Sequence, residues 1–299
     1  MSRLAQITLT TTALSLVFYM LLGLMPGDPI DLALMADPRL TAEDAARLRA
    51  LHGLDQPLGA RYLAWAGAVL RGEFGYSRLF AQPVGALLWP ALLSTLALLG
   101  WAIAIAAVLG VGLGVLAALR TATAPAVQGA ALLAQAMPGF WLGIMLIVVF
   151  AVWLGWLPAG GADSWAALIL PVATLAFGQM AAYARHAAAA MEGALREPWV
   201  RSARARGASD ARVAFAHALP NAAVPLLTLL GLDAGALVSG AVITETLFAR
   251  PGMGKLIFDA IMGNDYNLAL LALLVVALVT MLGGWAADLA QRALDPRLR

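Results

Sequence analysis

Few residues of this 299-residue chain have the type and spacing that chemistry requires. There is no cysteine, which excludes disulfides, thiolate metal sites and cysteine nucleophiles. The three histidines, His52, His186 and His217, are expected in different loops and lack the paired spacing of a metal site. The eleven methionines are scattered through apolar runs, where flexible packing explains them better than copper or nickel ligation. Gly254-Lys255 has the look of a phosphate-binding loop, but Ala249 stands where the first glycine is required and Leu256 where Ser or Thr is required. Gly110, Gly112 and Gly114 imitate a dinucleotide fingerprint, yet they sit inside an apolar run without the strand and turn that fingerprint needs. Gly110 and Gly114 are four apart, a spacing that lets another helix approach closely. No catalytic residue and no metal site emerge, and the chain is expected not to be an enzyme.

The elements that carry these residues are membrane spans. The chain is 62% hydrophobic and 12% charged, with a mean hydropathy of +0.84, outside the range of soluble domains. A net charge of +2 is too small to point to nucleic acid. Apolar runs cover residues 7–25, 91–118, 129–157, 165–190, 220–245 and 268–291, lengths that fit tilted helices. The first run competes with a cleaved signal peptide, but no small-x-small cleavage site follows it. Met25-Pro26-Gly27-Asp28-Pro29 ends it abruptly instead. Six spans place both termini on one side. Arg3, Arg120, Arg185, Arg196, Arg201, Arg204, Arg206, Arg212, Arg292, Arg297 and Arg299 then share that side, against Arg250 and Lys255 in the short loops opposite. The positive-inside rule makes the arginine-rich side cytoplasmic.

Asp233 is the one carboxylate near the middle of an apolar run. A charge there is costly, so it either faces a cavity as a functional group or is held by a neighbouring helix for packing alone. Gln135, Gln179 and Thr228 are weaker candidates to line a path. Residues 26–90 form a patterned loop outside: Thr41 with Asp44 starts a helix in capping-box fashion and Gly53 stops it. Pro57 opens a second segment that ends at Gly72, with Leu63, Trp65, Val69 and Leu70 as its apolar side. The stretch from Arg196 to Pro225 is polar and basic between two apolar runs. Pro198 suits a first helical turn, Gly207 an ending elbow, and Ser209 or Asp210 a cap for a second short helix running to about Leu219, where Pro220 interrupts it.

This last stretch resembles the coupling loop of ATP-binding-cassette importer permeases. Arg201 stands at the position of that pattern's Glu, Gly207 at its glycine, and Leu219-Pro220 at its Leu-Pro ending. The run Ser202-Ala203-Arg204-Ala205-Arg206-Gly207-Ala208-Ser209, with His217, Asn221 and Pro225, resembles the first permease subunit of dipeptide, oligopeptide, nickel and glutathione importers. That family usually has Lys where Arg206 stands and a basic residue where Pro220 stands. Similar matches occur at Pro26-Gly27-Asp28-Pro29, Leu54-Asp55-Gln56-Pro57, Arg61-Tyr62, residues 72–77, Pro83-Val84 and residues 137–143, where Pro138 is expected to kink the third span. They recur at Leu294-Asp295-Pro296-Arg297. Glu245-Thr246-Leu247-Phe248-Ala249-Arg250-Pro251-Gly252-Met253-Gly254 resembles the family's Glu-Thr-x-Phe-x-x-Pro-Gly-x-Gly signature.

The resemblance implies an all-α integral membrane protein with six transmembrane helices, the type I importer fold and a cytoplasmic coupling helix. It divides the chain into residues 1–90, the first span with a long extracytoplasmic loop, and residues 91–299, the core domain with coupling loop 191–220. Implied partners are a second homologous permease subunit, two ATP-binding subunits, an extracytoplasmic solute-binding protein and the lipid bilayer, with no nucleic acid. No cofactor is expected on this chain; ATP and Mg belong to the ATPase subunits. Arg201, Ala203, Arg204, Ala205, Arg206, Gly207, Ser209 and Asp210 are the expected coupling residues. Glu245, Phe248, Pro251, Gly252 and Gly254 are the expected outer gate. The expected cargo is peptide, with nickel or glutathione as alternatives, in a bacterial or archaeal cytoplasmic membrane. A rival class, a proton-driven secondary transporter using Asp233, would need an inverted repeat with broken helices, and none is evident.

Overall fold

The computed structural model describes residues 3–23, 41, 43, 44, 47, 56–120, 122–223, 226, 229 and 241–294. Helix α1 runs Arg3–Gly23 and α2 Leu58–Leu70. Strands β1 (Tyr76–Ser77) and β2 (Gln82–Pro83) pair antiparallel, Tyr76 opposite Pro83. Helix α3 is Val84–Leu119, α4 Ala124–Ala136, and α5 Gly139–Leu146, which continues as a π-helical turn over Ile147–Trp153. A 3-10 turn, Trp165–Leu168, leads into α6, Ile169–Arg196. Then come α7 (Pro198–Ala205), α8 (Asp210–Arg212) with a π-helical turn over Val213–Ala218, and α9 over residues 241–247. Helices α10 (Met253–Met262) and α11 (Tyr266–Leu294) close the described part.

Among the described residues, four helices are long and apolar enough to cross a membrane, five if the bent pair α4–α5 counts as one span. Most of the expected span over residues 220–245 lies outside the described residues, as do Gly53, Asp233 and Thr228. Two expectations need correction. The third span is not merely kinked at Pro138: α4 and α5 meet at 96°, because Met137 leaves the helix in an extended conformation and Pro138 cannot donate to the turn before it. Nor does Pro220 end its helix, since residues 219–223 remain helical. The wider π-helical turn just before it accommodates the ring, and the Asn221 side-chain amide donates to the His217 carbonyl at 2.8 Å.

The chain falls into two compact units, Met1–Leu92 with Leu256–Val279, and Leu93–Lys255 with Thr280–Arg299. In the first, Thr41 and Asp44 cap each other: the Thr41 amide donates to the carboxylate at 3.0 Å and the Asp44 amide to the hydroxyl at 3.2 Å. Helix α2 opens after Pro57, and Gly72 takes a left-handed φ of 82° beyond its end. Its contact with α1 is aromatic and polar. Tyr62 and Trp65 pack on Tyr19 at ring distances of 5.5 and 5.6 Å, and Tyr62 shares a 2.8 Å hydrogen bond with Ser15. Leu63 and Leu70, on the apolar side of this segment, are exposed. Asp265 is the unit's buried anchor. It accepts from the Ser77 hydroxyl at 2.6 Å, the Leu79 amide at 3.0 Å and the Leu268 amide at 3.2 Å, fixing the hairpin and capping α11.

In the second unit, glycine decides how closely α3 and α6 approach. A methyl group on Gly110 would meet the Met180 carbonyl at 2.6 Å, and one on Gly114 would meet Ala187 Cβ at 2.5 Å. Both are impossible contacts, so the four-residue glycine spacing is a packing seam. A cavity of about 290 Å³ among α3, α4 and α6 is lined by apolar side chains, among them Leu113, Ala131, Phe177 and Ala184.

Candidate functional site

The basic elbow is built from local rules. Glu197 is extended, Pro198 starts α7 with its missing N–H at a position that has no helical partner, and Gly207 adopts φ 83°. The Gly207 amide then donates to the Arg204 carbonyl at 2.9 Å and the Ala208 amide to the Ala203 carbonyl at 3.1 Å, the paired bonds of a Schellman ending. Ser209 caps the next helix by accepting from the Arg212 amide at 3.3 Å. Val200, Ala203 and Val213 are buried together beneath the elbow, and the Trp199 ring meets His217 edge-on at 6.3 Å. Met191, Ala214, Ala218 and Val115 bury the base of the motif. What remains outside is Arg201, Arg204, Ala205, Arg206, Gly207, Ser209 and Asp210, all exposed. Arg204 crosses the elbow to Asp210 at 3.0 Å. The arrangement is a stiff, cationic tip on a buried foot.

The second cluster centres on Glu245, which is fully buried at the end of α9. Its carboxylate accepts from the Thr95 hydroxyl at 2.5 Å, the Gly254 amide at 2.7 Å and the Lys255 amide at 3.2 Å. A buried carboxylate without such donors would cost several kcal/mol, roughly, so these bonds are what lets it stay. The Glu245 carbonyl receives the Arg250 amide at 2.8 Å, closing the chain into a tight loop. Glycine is obligatory in that loop: a methyl on Gly252 would strike the carboxylate, and one on Gly254 would lie 2.5 Å from Val242 Cα. Phe248 is buried, and its carbonyl takes the Gly161 amide at 2.8 Å, while Gly160 passes too close to that carbonyl for any side chain. Arg250 is 9% exposed, and burial pushes its guanidinium below the usual arginine value while the Glu245 carboxylate pulls the other way.

Residues 110–299 match the family described as "Binding-protein-dependent transport system inner membrane component". The chain is 35% identical to the di/tripeptide transport system permease protein DppB of Pseudomonas aeruginosa, covering 99% of this chain and 97% of that one. The chain belongs to this permease family. It is also 32% identical to the oligopeptide transport system permease protein AppB of Bacillus subtilis, over 95% of this chain and 94% of the other. With the glutathione transport system permease protein GsiC of Escherichia coli it shares 33% identity over 99% and 97%. Among solved structures it resembles an inward-facing conformation of the MetNI methionine ABC transporter. The TM-score is 0.61 and the identity 21%, over 71% of this chain and 98% of that one, a likeness of fold.

The permease is therefore a multi-pass inner-membrane component with the type I importer fold. Its structure brings together Glu245, Phe248, Pro251, Gly252 and Gly254, the residues expected at a gate, in one loop. The eight elbow residues likewise form one feature, with Ala203 as its buried member. The expected path residues are not gathered: Gln135 is exposed on α4, Gln179 half-buried on α6, and Asp233 and Thr228 lie outside the described residues. Sequence reasoning missed Thr95, Gly160 and Gly161 around the Glu245 loop, and the bond of Ser77 to Asp265. Ser94-Thr95, a hydroxyl pair in a long apolar run, was the available signal for the first.

Proposed function

We propose that this chain is one half of the translocation pathway of an ATP-driven importer and that its cargo is peptide. The observation that carries the reading is the elbow at Gly207: a short helix closed by a Schellman ending and braced by the Arg204–Asp210 pair, with its arginines outside. A stiff element of that kind can transmit displacement, which a flexible loop cannot. Arg201, Ala203, Arg204, Ala205, Arg206, Gly207, Ser209 and Asp210 form the contact with an ATP-binding subunit, which carries ATP and Mg. This chain binds no cofactor and performs no catalysis.

The partners in this reading are a second homologous permease subunit, two ATP-binding subunits and an extracytoplasmic solute-binding protein. The arginine distribution supports a cytoplasmic elbow and cytoplasmic termini, in a bacterial or archaeal cytoplasmic membrane. Residues 1–90 carry the extracytoplasmic loop and residues 91–299 the core with coupling loop 191–220. Closure of the ATPases draws the elbows together and switches the cavity between inward and outward access. Glu245, Phe248, Pro251, Gly252 and Gly254 shape the outer gate, and Gln135, Gln179, Thr228 and Asp233 line the path. Peptide is favoured because the names of DppB and AppB specify peptide cargo, while GsiC keeps glutathione as the alternative.

The test is co-purification and ATP hydrolysis of the assembled complex after changing Arg204 and Gly207. Loss of ATPase binding, or of hydrolysis stimulated by the binding protein, is the expected result. A double variant that assembles and transports normally refutes the reading. So does uptake that follows a proton gradient without ATP, which would turn attention to Asp233.

A further inference from the structure

We propose that Thr95 is a positioning residue of the transport cycle, acting through Glu245 to lock the first turn of α10 onto α3. The proposal deepens the permease reading above and rests on it. A threonine inside a helix ordinarily returns its hydroxyl to the carbonyl one turn back. Thr8, Thr12, Thr174 and Thr246 all do so here, at 2.7–3.0 Å. Thr95 does not. Only 4% exposed, it donates to the Glu245 carboxylate at 2.5 Å and accepts from the Met253 amide at 2.8 Å. Its one oxygen therefore bridges two segments about 150 residues further along the chain.

The consequence lies at the start of α10. The first amides of a helix have no partner within it. In α10 three consecutive ones are satisfied from outside: Met253 by Thr95, and Gly254 and Lys255 by Glu245. The Thr95 hydroxyl also fixes which way the carboxylate faces, because its proton goes to one carboxylate oxygen while both amides go to the other. Thr95 thus sets the register among α3, α9 and α10. The loop from Phe248 to Gly252 closes between two points that this hydroxyl holds. A displacement of α3 must carry that loop with it, or break both buried hydrogen bonds of the Thr95 hydroxyl together.

The experiment uses the assembled transporter in proteoliposomes, with a radiolabelled tripeptide as the uptake probe. It compares T95S, T95V, E245Q and the T95V/E245Q double variant. T95S keeps the hydroxyl and is expected to hold uptake, and the ratio of binding-protein-stimulated to basal ATP hydrolysis, within about twofold of wild type. T95V keeps the shape and loses the hydroxyl, so both are expected to fall about tenfold, the size expected for a buried hydrogen bond to a charged group. The double variant is expected to be no worse than the poorer single one, since both changes break the same link. Wild-type behaviour of T95V, an equal defect in T95S, or multiplying effects in the double variant overturns the proposal.

Hydrogen exchange over residues 253–256 of the purified permease gives a readout independent of assembly. Faster exchange there in T95V, with α6 unchanged, is expected; unchanged exchange refutes the link. A wild-type complex without ATP-driven uptake would remove the permease reading, and the exchange result would still judge Thr95 by itself.

Discussion

Substituting alanine for two neighbouring glycines of α3 isolates the close approach of α3 and α6. Gly112 has nothing within 4 Å of where a methyl group would stand, whereas a methyl on Gly114 would lie 2.5 Å from Ala187 Cβ and 2.8 Å from the Ala188 amide nitrogen. Carbon atoms pack at about 3.5–4.0 Å, so Gly114→Ala requires the helices to separate by about 1 Å. Most of what it meets is backbone or Cβ, which no rotamer change can move aside. Overpacking of this kind costs about 1–3 kcal/mol. Gly112→Ala makes no new contact and gains the helical preference of alanine, about 0.8–1.0 kcal/mol. Gly114→Ala gains the same preference, so the two variants should differ by the overpacking cost alone, about 1–3 kcal/mol, although both add one methyl to one helix. With roughly 2 °C per kcal/mol for a chain of this size, thermal unfolding in detergent at a fixed scan rate should separate them by about 2–6 °C. The nine tryptophans supply the fluorescence signal. Equal melting of the two variants, or a more stable Gly114→Ala, would refute the packing argument.

Three further outcomes are expected. Gly207→Val forces a β-branched residue to φ 83° at a cost of about 1–2 kcal/mol, so limited proteolysis should open the elbow, while Gly207→Asn should resist cleavage nearly as wild type does. Gly252→Ala should impair folding because the three atoms nearest its methyl all belong to the Glu245 carboxylate; Glu245→Ala frees that space, so the double variant should melt no lower than Glu245→Ala alone. The Thr41 hydroxyl, and then its amide, hold the Asp44 carboxyl below its ordinary 3.8. The cap is present above that pH and is lost as the pH falls through the lowered value. Carboxyl-labelled aspartate NMR should show the Asp44 titration moving up in Thr41→Ala, and an unmoved titration would remove the cap.

What could be read from the sequence was local. Pro198, Gly207 and Ser209 act within a few residues, so the elbow follows from their types and order, as does the Thr41–Asp44 cap. The glycine seam of α3 follows from spacing alone. Pro220 misled because a proline ends a helix only where the ladder before it is regular, and the π-helical turn over Val213–Ala218 is a departure no residue type announces. The 96° bend between α4 and α5 exceeds a proline kink because Met137, just before Pro138, leaves the helix in an extended conformation. Thr95 and Asp265 were silent for a different reason. Their partners lie about 150 and 188 residues away, and a hydroxyl or carboxylate in isolation does not name the group it will bind.

Helix α3 makes one more demand on its surroundings. At about 1.5 Å per residue, its 36 residues extend about 54 Å, against a hydrocarbon layer of about 30 Å. Tilt alone absorbs part of the excess, since a helix leaning by about 40° still rises some 40 Å. The rest must stand above or below the acyl chains, where Trp89, near the helix start and exposed, is suited to the headgroup zone. Hydrophobic mismatch thereby becomes a property of this permease: thin bilayers leave more of α3 to be sheltered by tilt or by protein, and thick ones shelter it directly. Acyl-chain length in the host membrane is accordingly a variable that sets the lean of α3.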